Sequence, residues 1–411
     1  MSERERERLK VLSSVQRGDM KQQEAAGLLG ISVRQTKRLL KRFREEGDKG
    51  LVHRLRGKTS NRRIGESVLK DAERLVTERY ADFGPTLAGE YLEERHGLKV
   101  SHETLRKWMT DWGLWKPKRR RLKHHEWRER KGCFGEMVQM DTSEHDWLEG
   151  RGEKIYLILM IDDATSRIHA RFYNSDSTGT NMDLLKDYLR RSGRPKAIYA
   201  DKASHFKTTR DATVDEQLAG REAETQIQRA LRELDIEYIA AHSPQAKGRV
   251  ERFFGTAQDR LVKGLRVEGI GTIEEANAYL RDHFIPRWNQ KFSVKPSSPL
   301  NAHRPTKGMN LNAILSVQDT RVVGNDYTIQ FQNRLLQIKR ESIVAGLRKG
   351  KVLVESRLDG STHIRFRGTY LKFREIDPQR RSHKADSQTL RSPKNSTRPL
   401  RLQQEHQQPR A

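Results

Sequence analysis

The stretch EKIYLILMIDDATSRIHARFYN, residues 153–174, decides the fold class of this chain. It contains the unbroken apolar run IYLILMI, residues 155–161, which is typical of a central strand buried on both faces. Residues 167–174 alternate apolar and polar side chains, which predicts a half-buried strand beside it. The apolar run is far shorter than the roughly 20 residues that a membrane-spanning helix needs. The stretch therefore predicts two strands of one sheet.

Strands and helices alternate on both sides of this stretch. Residues 135–143 form a further predicted strand before it. After it, helical periodicity covers residues 180–193 and 226–235, and short apolar strands cover residues 197–206 and 236–243. Three strands followed by alternating helices and strands predict an α/β domain, with a mixed sheet covered by helices.

Three acidic residues stand out in this predicted domain. Asp141 and Asp201 each lie at the end of a predicted strand, where side chains project into the crevice that α/β sheets use for ligands. Glu251 begins a predicted helix within SPQAKGRVERFFGTAQDRL, residues 243–261. Each acid alone is also explained by a structural role: a turn or cap for the aspartates, a surface ion pair for the glutamate. Neighbouring strands would bring all three together, and converging carboxylates need cations.

The chemistry of such a cluster predicts a metal site. Hard oxygen ligands select Mg²⁺ or Mn²⁺, and two such ions about 3.5–4 Å apart stabilise the attacking and leaving oxygens of phosphodiester chemistry. We therefore expect two ions in one active site. The basic residues near the glutamate are expected to contact phosphate; they are Lys247, Arg249 and Arg252.

The composition indicates a polyanionic partner. The 411 residues include 81 Lys and Arg against 55 Asp and Glu, a formal net charge of +26, which favours nucleic acid. An anionic membrane surface is the alternative, but no cationic amphipathic segment stands apart from the globular pattern. The N-terminus lacks the apolar core of a signal peptide, and the single cysteine, Cys133, excludes an internal disulfide and a cysteine-rich zinc site. We expect a cytoplasmic protein that binds DNA or RNA and no membrane.

Residues 21–47 have the pattern of a helix-turn-helix. Gly30 supplies the turn, and Ser32 with Gln35 predicts a capping box at the start of the second helix. That helix enters the major groove in this motif; a helical hairpin with a solvated basic face is the alternative. The apolar stripes of the two helices are expected to include Ala25, Ala26, Leu28 and Leu29, then Val33, Leu39, Leu40 and Phe43. The candidate DNA contacts are Ser32, Arg34, Gln35, Lys37 and Arg38, with bases expected at Arg34 and Gln35.

A second unit of the same kind covers residues 83–115. Its first helix is expected to start after Pro85, its turn lies at Gly97, and Ser101 caps the second helix. The expected buried stripe is Leu105, Trp108, Met109 and Trp112. The candidate DNA contacts are His102, Arg106 and Lys107.

A basic segment, residues 116–130, follows the second unit. A run of charges is often only solvated, but its position after two DNA-binding units favours contact with a phosphate backbone or a minor groove. The candidate phosphate contacts are Lys118, Arg119 and Arg120.

Four motif blocks of the middle region resemble those of DDE transposases and retroviral integrases. The blocks are MDTSEHDW, IDDATSRIHA, YADKASHF and SPQAKGRVERFFGTAQDRL, and they are most similar to the ISNCY group of bacterial insertion-sequence transposases. The resemblance covers roughly residues 135–300 and implies a ribonuclease-H-like catalytic core. It also implies Asp141, Asp201 and Glu251 as the catalytic triad, with cleavage at transposon ends and strand transfer into target DNA.

Some features depart from the family pattern or compete with the triad. Ala203 stands where relatives often have Gly, a change between small residues. A polar insertion, residues 208–224, lengthens the interval between the last two acids, either as a loop over the site or as tolerated length. Asp162 and Asp163 compete for the metal role, but the family pattern implies that they are structural. The zinc domain of retroviral integrases is not expected in a chain with one cysteine.

The sequence therefore predicts a multidomain protein, with N-terminal all-α helix-turn-helix units, a central α/β ribonuclease-H-like mixed sheet and a C-terminal small β-barrel. The barrel is predicted from short strands and turn signals in residues 320–338 and 349–376. The polar C-terminal tail is predicted to be disordered. The boundaries are 1–53 and 66–115 for the two helix-turn-helix units, 116–134 for a basic linker, 135–300 for the core, 318–377 for the barrel and 378–411 for the tail.

The predicted function is that of a DNA transposase. It would bind the terminal inverted repeats of a mobile element and act as a homo-oligomer on transposon-end DNA and target DNA, associated with the bacterial nucleoid. A catalytically inactive DNA-binding regulator and a metal-dependent nuclease or junction resolvase are the alternatives. The presence of all three acids argues against the regulator, and the two helix-turn-helix units argue against the nuclease.

Overall fold

A computed structural model describes residues 1–57, 63–116, 129–201, 222–240 and 248–376, together with residues 206, 208, 210–212, 217–218 and 220. The chain divides into two compact units, Met1–Arg120 and Arg121–Ala411. Some predictions fall outside the described residues. They concern Lys118, Arg119, Arg120, Lys247, most of the basic segment, parts of the insertion and the C-terminal tail.

Three helices form the first half of the N-terminal unit. Helix α1 spans Glu3–Arg17, α2 spans Gln22–Leu29 and α3 spans Val33–Glu46, and a 3-10 turn at Gly47–Leu51 follows. Their shared core contains Leu12, Ala25, Leu39, Leu40 and Leu51. The predicted pair of helices is therefore completed by α1, which the sequence pattern had not indicated.

Three further helices form the second half of this unit. Helix α4 spans Glu66–Arg79, α5 spans Pro85–His96 and α6 spans His102–Asp111. Pro85 occupies the first turn of α5, where its fixed φ suits a helix and its missing N–H costs nothing. The ring of Tyr80, which follows α4, lies 5.0 Å from that of Phe83 and 5.5 Å from that of Tyr91 in α5. These aromatic contacts join α4 to α5.

The first part of the second compact unit, Arg121–Ala411, is built on one five-stranded sheet. Its strands are β1 (Met137–His145), β2 (Ile155–Asp162), β3 (Ile168–Tyr173), β4 (Ala197–Ala200) and β5 (Glu237–Ala240). Their order across the sheet is β3-β2-β1-β4-β5. Strands β1, β2 and β3 pair antiparallel, whereas β1, β4 and β5 pair parallel. This is the mixed, ribonuclease-H-like sheet that the sequence predicted.

Helices cover both faces of this sheet. Helices α7 (Thr178–Ser192) and α8 (Gln226–Glu233) pack on the face that carries Ile158 of β2. Helix α9 (Gly248–Val267) packs on the opposite face, which carries Leu159. The helices after α9, also on that face, are α10 (Ile273–Tyr279), a π turn (Leu280–Phe284) and α11 (Ile285–Phe292). Because β2 is covered on both sides, its sequence is apolar at nearly every position.

The C-terminal part is a two-sheet β domain that follows a short helix, α12 (Leu311–Ile314). One sheet has the order β11-β10-β9-β6 and the other β12-β8-β7. Both enclose one apolar core, but the pairings among the described residues do not join the two sheets into the closed barrel of the prediction. The strands are β6 (Ser316–Val322), β7 (Thr328–Phe331), β8 (Arg334–Ile338), β9 (Lys351–Arg357), β10 (Thr362–Phe366), β11 (Thr369–Leu371) and β12 (Phe373–Ile376).

None of the helices in the described part of the chain combines the length and the apolar character needed to cross a membrane.

Candidate functional site

Asp141 and Asp201 lie at matching positions of two neighbouring strands. In the parallel pairing of β1 with β4, Met137 pairs with Ala197 and Gln139 pairs with Tyr199. The same register carried two residues further places Asp141 beside Asp201, which directly follows β4. Paired residues of parallel strands point to the same face, and the strands lie about 4.8 Å apart. Asp141 thus lies in the middle of β1, not at the strand end that the sequence predicted, because β1 continues to His145, whereas Asp201 lies at the predicted end of β4.

Pairing with β2 identifies the face on which Asp141 lies. Asp141 pairs with Leu159, whose side chain belongs to the core beneath α9. The preceding residue, Met140, pairs with Met160 and belongs to the core beneath α7 and α8. Asp141 therefore lies on the face that α9 covers.

Glu251 lies in the first turn of α9, on that same face of the sheet. The helix packs against β1 and buries Val250, Phe253 and Phe254, whereas Glu251 is exposed. Among the described residues, no group of three or more His, Cys, Asp or Glu side chains forms a cluster able to hold a metal ion. The structure thus places Glu251 on the same face of the sheet as Asp141, with Asp201 at the end of the strand next to β1, and does not join the three acids in one cluster.

Tyr238 of β5 contacts the end of β4, a contact that sequence reasoning missed. Its hydroxyl donates to the backbone carbonyl of Asp201 at 3.0 Å, and its ring stacks on Phe206 with centroids 5.7 Å apart. Burial, and then the Asp201 carboxylate, raise the pKa of Tyr238 to about 12. The hydroxyl therefore stays protonated at neutral pH and holds the strand end. The sequence feature that could have indicated this contact is an aromatic residue in the last predicted strand of the sheet.

The competing acid Asp162 has structural contacts. Its carboxylate accepts hydrogen bonds from the Gly135 N–H at 2.9 Å, the Thr165 N–H at 2.7 Å and the Thr165 hydroxyl at 2.6 Å. Burial raises the pKa of Asp162 above its usual range. These bonds fix the turn after β2, in line with the structural role that the family pattern implied.

Arg249 is turned inward, towards the second competing acid, Asp163. The guanidinium of Arg249 forms an ion pair with the Asp163 carboxylate, and the two side chains are 12% and 0% exposed. The sequence predicted that Arg249 contacts phosphate, whereas here its charge is used inside the protein, because a buried carboxylate needs a partner. Arg252 is exposed, and its Nε donates to the Gly248 carbonyl at 2.9 Å.

The first helix-turn-helix has the predicted turn, and the contacts of α3 include the Ser32 half of the predicted capping box but not the reciprocal bond from Gln35. Gly30 adopts a left-handed conformation with φ 62°, and the Ser32 hydroxyl accepts from the Gln35 N–H at 3.2 Å. Leu28 and Val33 were predicted to be buried, but they are 62% and 38% exposed, because the shared core of the three helices is filled by other residues, among them Leu12, Ala25, Leu39 and Leu40. The exposed candidate residues of this unit are Ser32, Arg34, Gln35, Lys37 and Arg38.

The second helix-turn-helix also has its predicted cap, since the Ser101 hydroxyl accepts from the Thr104 N–H at 3.1 Å. Arg106 is not a free surface cation: Glu103, one turn earlier, binds its guanidinium through two hydrogen bonds of 2.7 and 2.8 Å. His102 and Lys107 are exposed. Of the predicted buried stripe, Leu105 and Met109 are buried, while Trp108 and Trp112 are only half-buried.

Comparison with known proteins adds to this description. A family model described as a helix-turn-helix domain matches residues 7–59. A protein of Sinorhizobium fredii (strain NBRC 101917 / NGR234) named as a transposase, y4bF, is 41% identical over 384 residues, which cover 93% of this chain and 83% of that protein. The transposase for insertion sequence IS1202 of Streptococcus pneumoniae is 28% identical over 393 residues, which cover 86% of this chain and 82% of that protein.

Solved structures are similar only at low TM-scores. The integrase catalytic core domain of HTLV-2 in complex with magnesium has a TM-score of 0.31 and 15% identity, covering 42% of this chain and 100% of that chain. The simian T-cell lymphotropic virus intasome in complex with PP2A regulatory subunit B56 gamma has a TM-score of 0.32 and 13% identity, covering 75% of this chain and 99% of that chain. Scores at this level carry no argument about the site.

The fold and the site define a class: a protein with an N-terminal helix-turn-helix domain and a ribonuclease-H-like core, which carries Asp141 on its central strand and Asp201 at the end of the next strand. The similarity to the S. fredii protein extends over nearly the whole chain. The chain belongs to the insertion-sequence transposase family.

Proposed function

We propose that this protein is a metal-dependent DDE transposase that cleaves the ends of its mobile element and joins the 3′-OH ends to target DNA. Asp141, Asp201 and Glu251 are its metal ligands. The observation that carries the proposal is the register of β1 and β4: carried two residues past the pair Gln139 and Tyr199, it sets Asp141 level with Asp201, and Asp141 lies on the face covered by α9. Carboxylates that converge on one site repel unless cations lie between them.

The donor set suits Mg²⁺ or Mn²⁺, because all three side chains offer hard oxygen ligands. Two ions, when bound, supply charge stabilisation to the attacking and leaving oxygens of a phosphodiester. Asp141 offers its carboxylate from β1, and Asp201 offers its carboxylate from the position directly after β4, the neighbouring strand. Glu251 offers its carboxylate from the first turn of α9, where the helix dipole favours an anion. Tyr238 keeps the end of β4 in place through the Asp201 carbonyl.

The partners of this enzyme are transposon-end DNA and target DNA. The helix-turn-helix units bind the terminal inverted repeats, and the net charge of +26 favours contact with phosphate on both DNA partners. The protein acts as a homo-oligomer on DNA, so that two element ends are held for one strand-transfer reaction.

The test is a joining assay with purified full-length protein. Labelled duplexes that carry the inverted repeats flanking the coding region are incubated with Mg²⁺ and a plasmid target. We expect labelled 3′ ends joined to the plasmid. Cleavage of the duplex without joined product would instead identify a nuclease, and specific binding without any cleavage would identify a regulator.

Recognition of the ends leads to a prediction about Arg34, an exposed residue near the start of α3. Replacing Arg34 with Ala should lower discrimination between cognate and scrambled duplexes by about 1–3 kcal/mol, because a base contact is lost. The measurement is a salt titration of binding to both duplexes. Lys41→Ala is the matched control, since this exposed residue lies two turns further along the same helix. Equal weakening of both duplexes by Arg34→Ala would show a phosphate contact instead.

A further inference from the structure

We propose that Arg249 is a positioning residue, which holds the first turn of α9 at a fixed place on β1 and thereby sets where Glu251 stands relative to Asp141. It acts through a buried network of three side chains, Arg249, Asp163 and Gln139, called here the Arg249 network. The inference rests on the proposed function, because it assigns Arg249 a purpose only if Glu251 and Asp141 act together.

Asp163 is the centre of the Arg249 network. Its Oδ1 accepts from the Arg249 guanidinium and from the Gln139 side-chain amide, the latter at 2.8 Å, and its Oδ2 accepts from the Lys131 N–H at 2.8 Å. The Asp163 N–H donates to the Met137 carbonyl at 3.0 Å, so its backbone is also bound to β1. Asp163 and Gln139 are among the buried polar residues of the protein. The carboxylate therefore has a fixed position relative to β1.

The two ends of the network lie next to two of the proposed metal ligands. Gln139 precedes Asp141 by two positions on β1, so both residues lie on the same face of the sheet. Arg249 precedes Glu251 by two positions in the first turn of α9. One carboxylate thus joins the strand that carries the first acid to the helical turn that carries the third.

The first turn of α9 needs such a connection. The first N–H groups of a helix have no partner within the helix, so a helix start frays unless other contacts hold it. Val250, Phe253 and Phe254 bury that end of α9, but apolar packing is not directional. The ion pair of Arg249 adds a directional contact that resists rotation or sliding of the turn.

A phosphate contact is the rival role for Arg249, and the burial of its partner argues against it. The side chain of Asp163 is 0% exposed. Moving the guanidinium to a phosphate would leave that carboxylate buried without its cation, which is strongly unfavourable. Arg249 therefore stays with Asp163 when DNA binds.

The experiment measures end cleavage against Mg²⁺ concentration, DNA affinity and melting temperature for full-length variants. In Arg249→Met, we expect a Mg²⁺ half-saturation concentration raised roughly 10- to 100-fold, with a lower kcat, because displaced supporting residues cost this much at metal sites. The dissociation constant for end DNA and its salt dependence should not change. Arg249→Lys keeps a cation beside Asp163 and should recover a large part of the loss.

Lys263→Met is the matched control. Lys263 is 11% exposed, lies on the same helix and pairs with Asp259 one turn earlier, so its loss removes an ion pair of α9 without touching the Arg249 network. We expect wild-type Mg²⁺ dependence for this variant. If Arg249→Met fails to fold, Gln139→Leu replaces it, since a buried apolar side chain of similar size breaks the network from the strand side.

Two results would overturn the inference. One is a folded Arg249→Met, or in its place Gln139→Leu, with wild-type Mg²⁺ half-saturation. The other is an Arg249→Met variant whose Mg²⁺ dependence is unchanged but which binds end DNA more weakly. If the slope of the logarithm of its binding constant against the logarithm of salt concentration is also lowered by about one, Arg249 contacts a phosphate. Glu251→Gln separates the two proposals. If that variant is fully active, the proposed function fails; if it is inactive while Arg249→Met behaves as wild type, only the positioning role fails.

Discussion

Replacing Asp141 with Asn, Asp201 with Asn or Glu251 with Gln should each lower the rate of end cleavage by about 1,000-fold or more. Each amide keeps the shape of the side chain but loses the charge that holds a divalent cation. Metal ions supply several kcal/mol of charge stabilisation in the transition state, and about 1.4 kcal/mol corresponds to a factor of ten in rate. Cleavage of labelled end duplexes under single-turnover conditions measures the loss.

Binding of end DNA should survive in all three variants, because the helix-turn-helix units lie in the other compact unit of the chain. Glu144→Gln is the matched control: Glu144 is an exposed acid on the same strand as Asp141, three positions further on and therefore on the opposite face. It should cleave at the wild-type rate. Wild-type cleavage by a variant of one of the three acids would remove that residue from the active site.

End cleavage should also require Mg²⁺ or Mn²⁺ and stop in excess chelator. When the metal is removed, the three carboxylates repel one another because no cation lies between them. The scissile phosphate then also lacks the charge stabilisation that the metal supplies. Ca²⁺ should permit DNA binding but little cleavage, because it accepts looser and more variable coordination than Mg²⁺. Titrations of cleavage with each metal, at constant ionic strength, give the comparison.

Constant ionic strength matters because binding to phosphate depends steeply on salt. DNA binding is therefore also measured in Ca²⁺ and in chelator. This measurement distinguishes a loss of affinity for DNA from a loss of the cleavage reaction. Full cleavage in excess chelator would contradict the metal mechanism. Loss of DNA binding together with loss of cleavage would instead place the effect of the metal in DNA recognition.

Local chemistry made several parts of the structure predictable from sequence. Glycine reaches the left-handed conformation at no steric cost, and Gly30 and Gly97 end their helices with φ 62° and 66°. Serine accepts from the exposed N–H groups of a helix start, and Ser32 and Ser101 do so. The apolar run of β2 likewise follows from its cover on both sides. The turns and caps depend on neighbours within a few residues, whereas the cover of β2 comes from distant helices and is visible in the sequence only as an unbroken apolar run.

The partners of individual side chains were not predictable in this way. Arg249 and Arg106 both belong to basic helical patterns that predicted solvent-facing cations. Arg249 pairs with a buried carboxylate 86 positions away in the chain, and Arg106 is bound by Glu103 on its own helix. Leu28 and Val33 fit an apolar stripe, yet they lie outside the core that the three helices share and are exposed. The periodicity of a sequence predicts on which face of a helix or strand a side chain lies. Tertiary packing decides which other side chains contact that face.

The sequence by itself determined the alternation of strands and helices in the core, the turn and caps of the helix-turn-helix pattern and the candidate acids, because these follow from local pattern and residue chemistry. Only the tertiary structure decided the register of β1 on β4, which sets Asp141 level with Asp201 when it is carried two residues further, and the placement of α9 on the face of Asp141. Register and helix placement depend on contacts between distant segments. A shift of one residue would have sent one of the two carboxylates to the opposite face of the sheet.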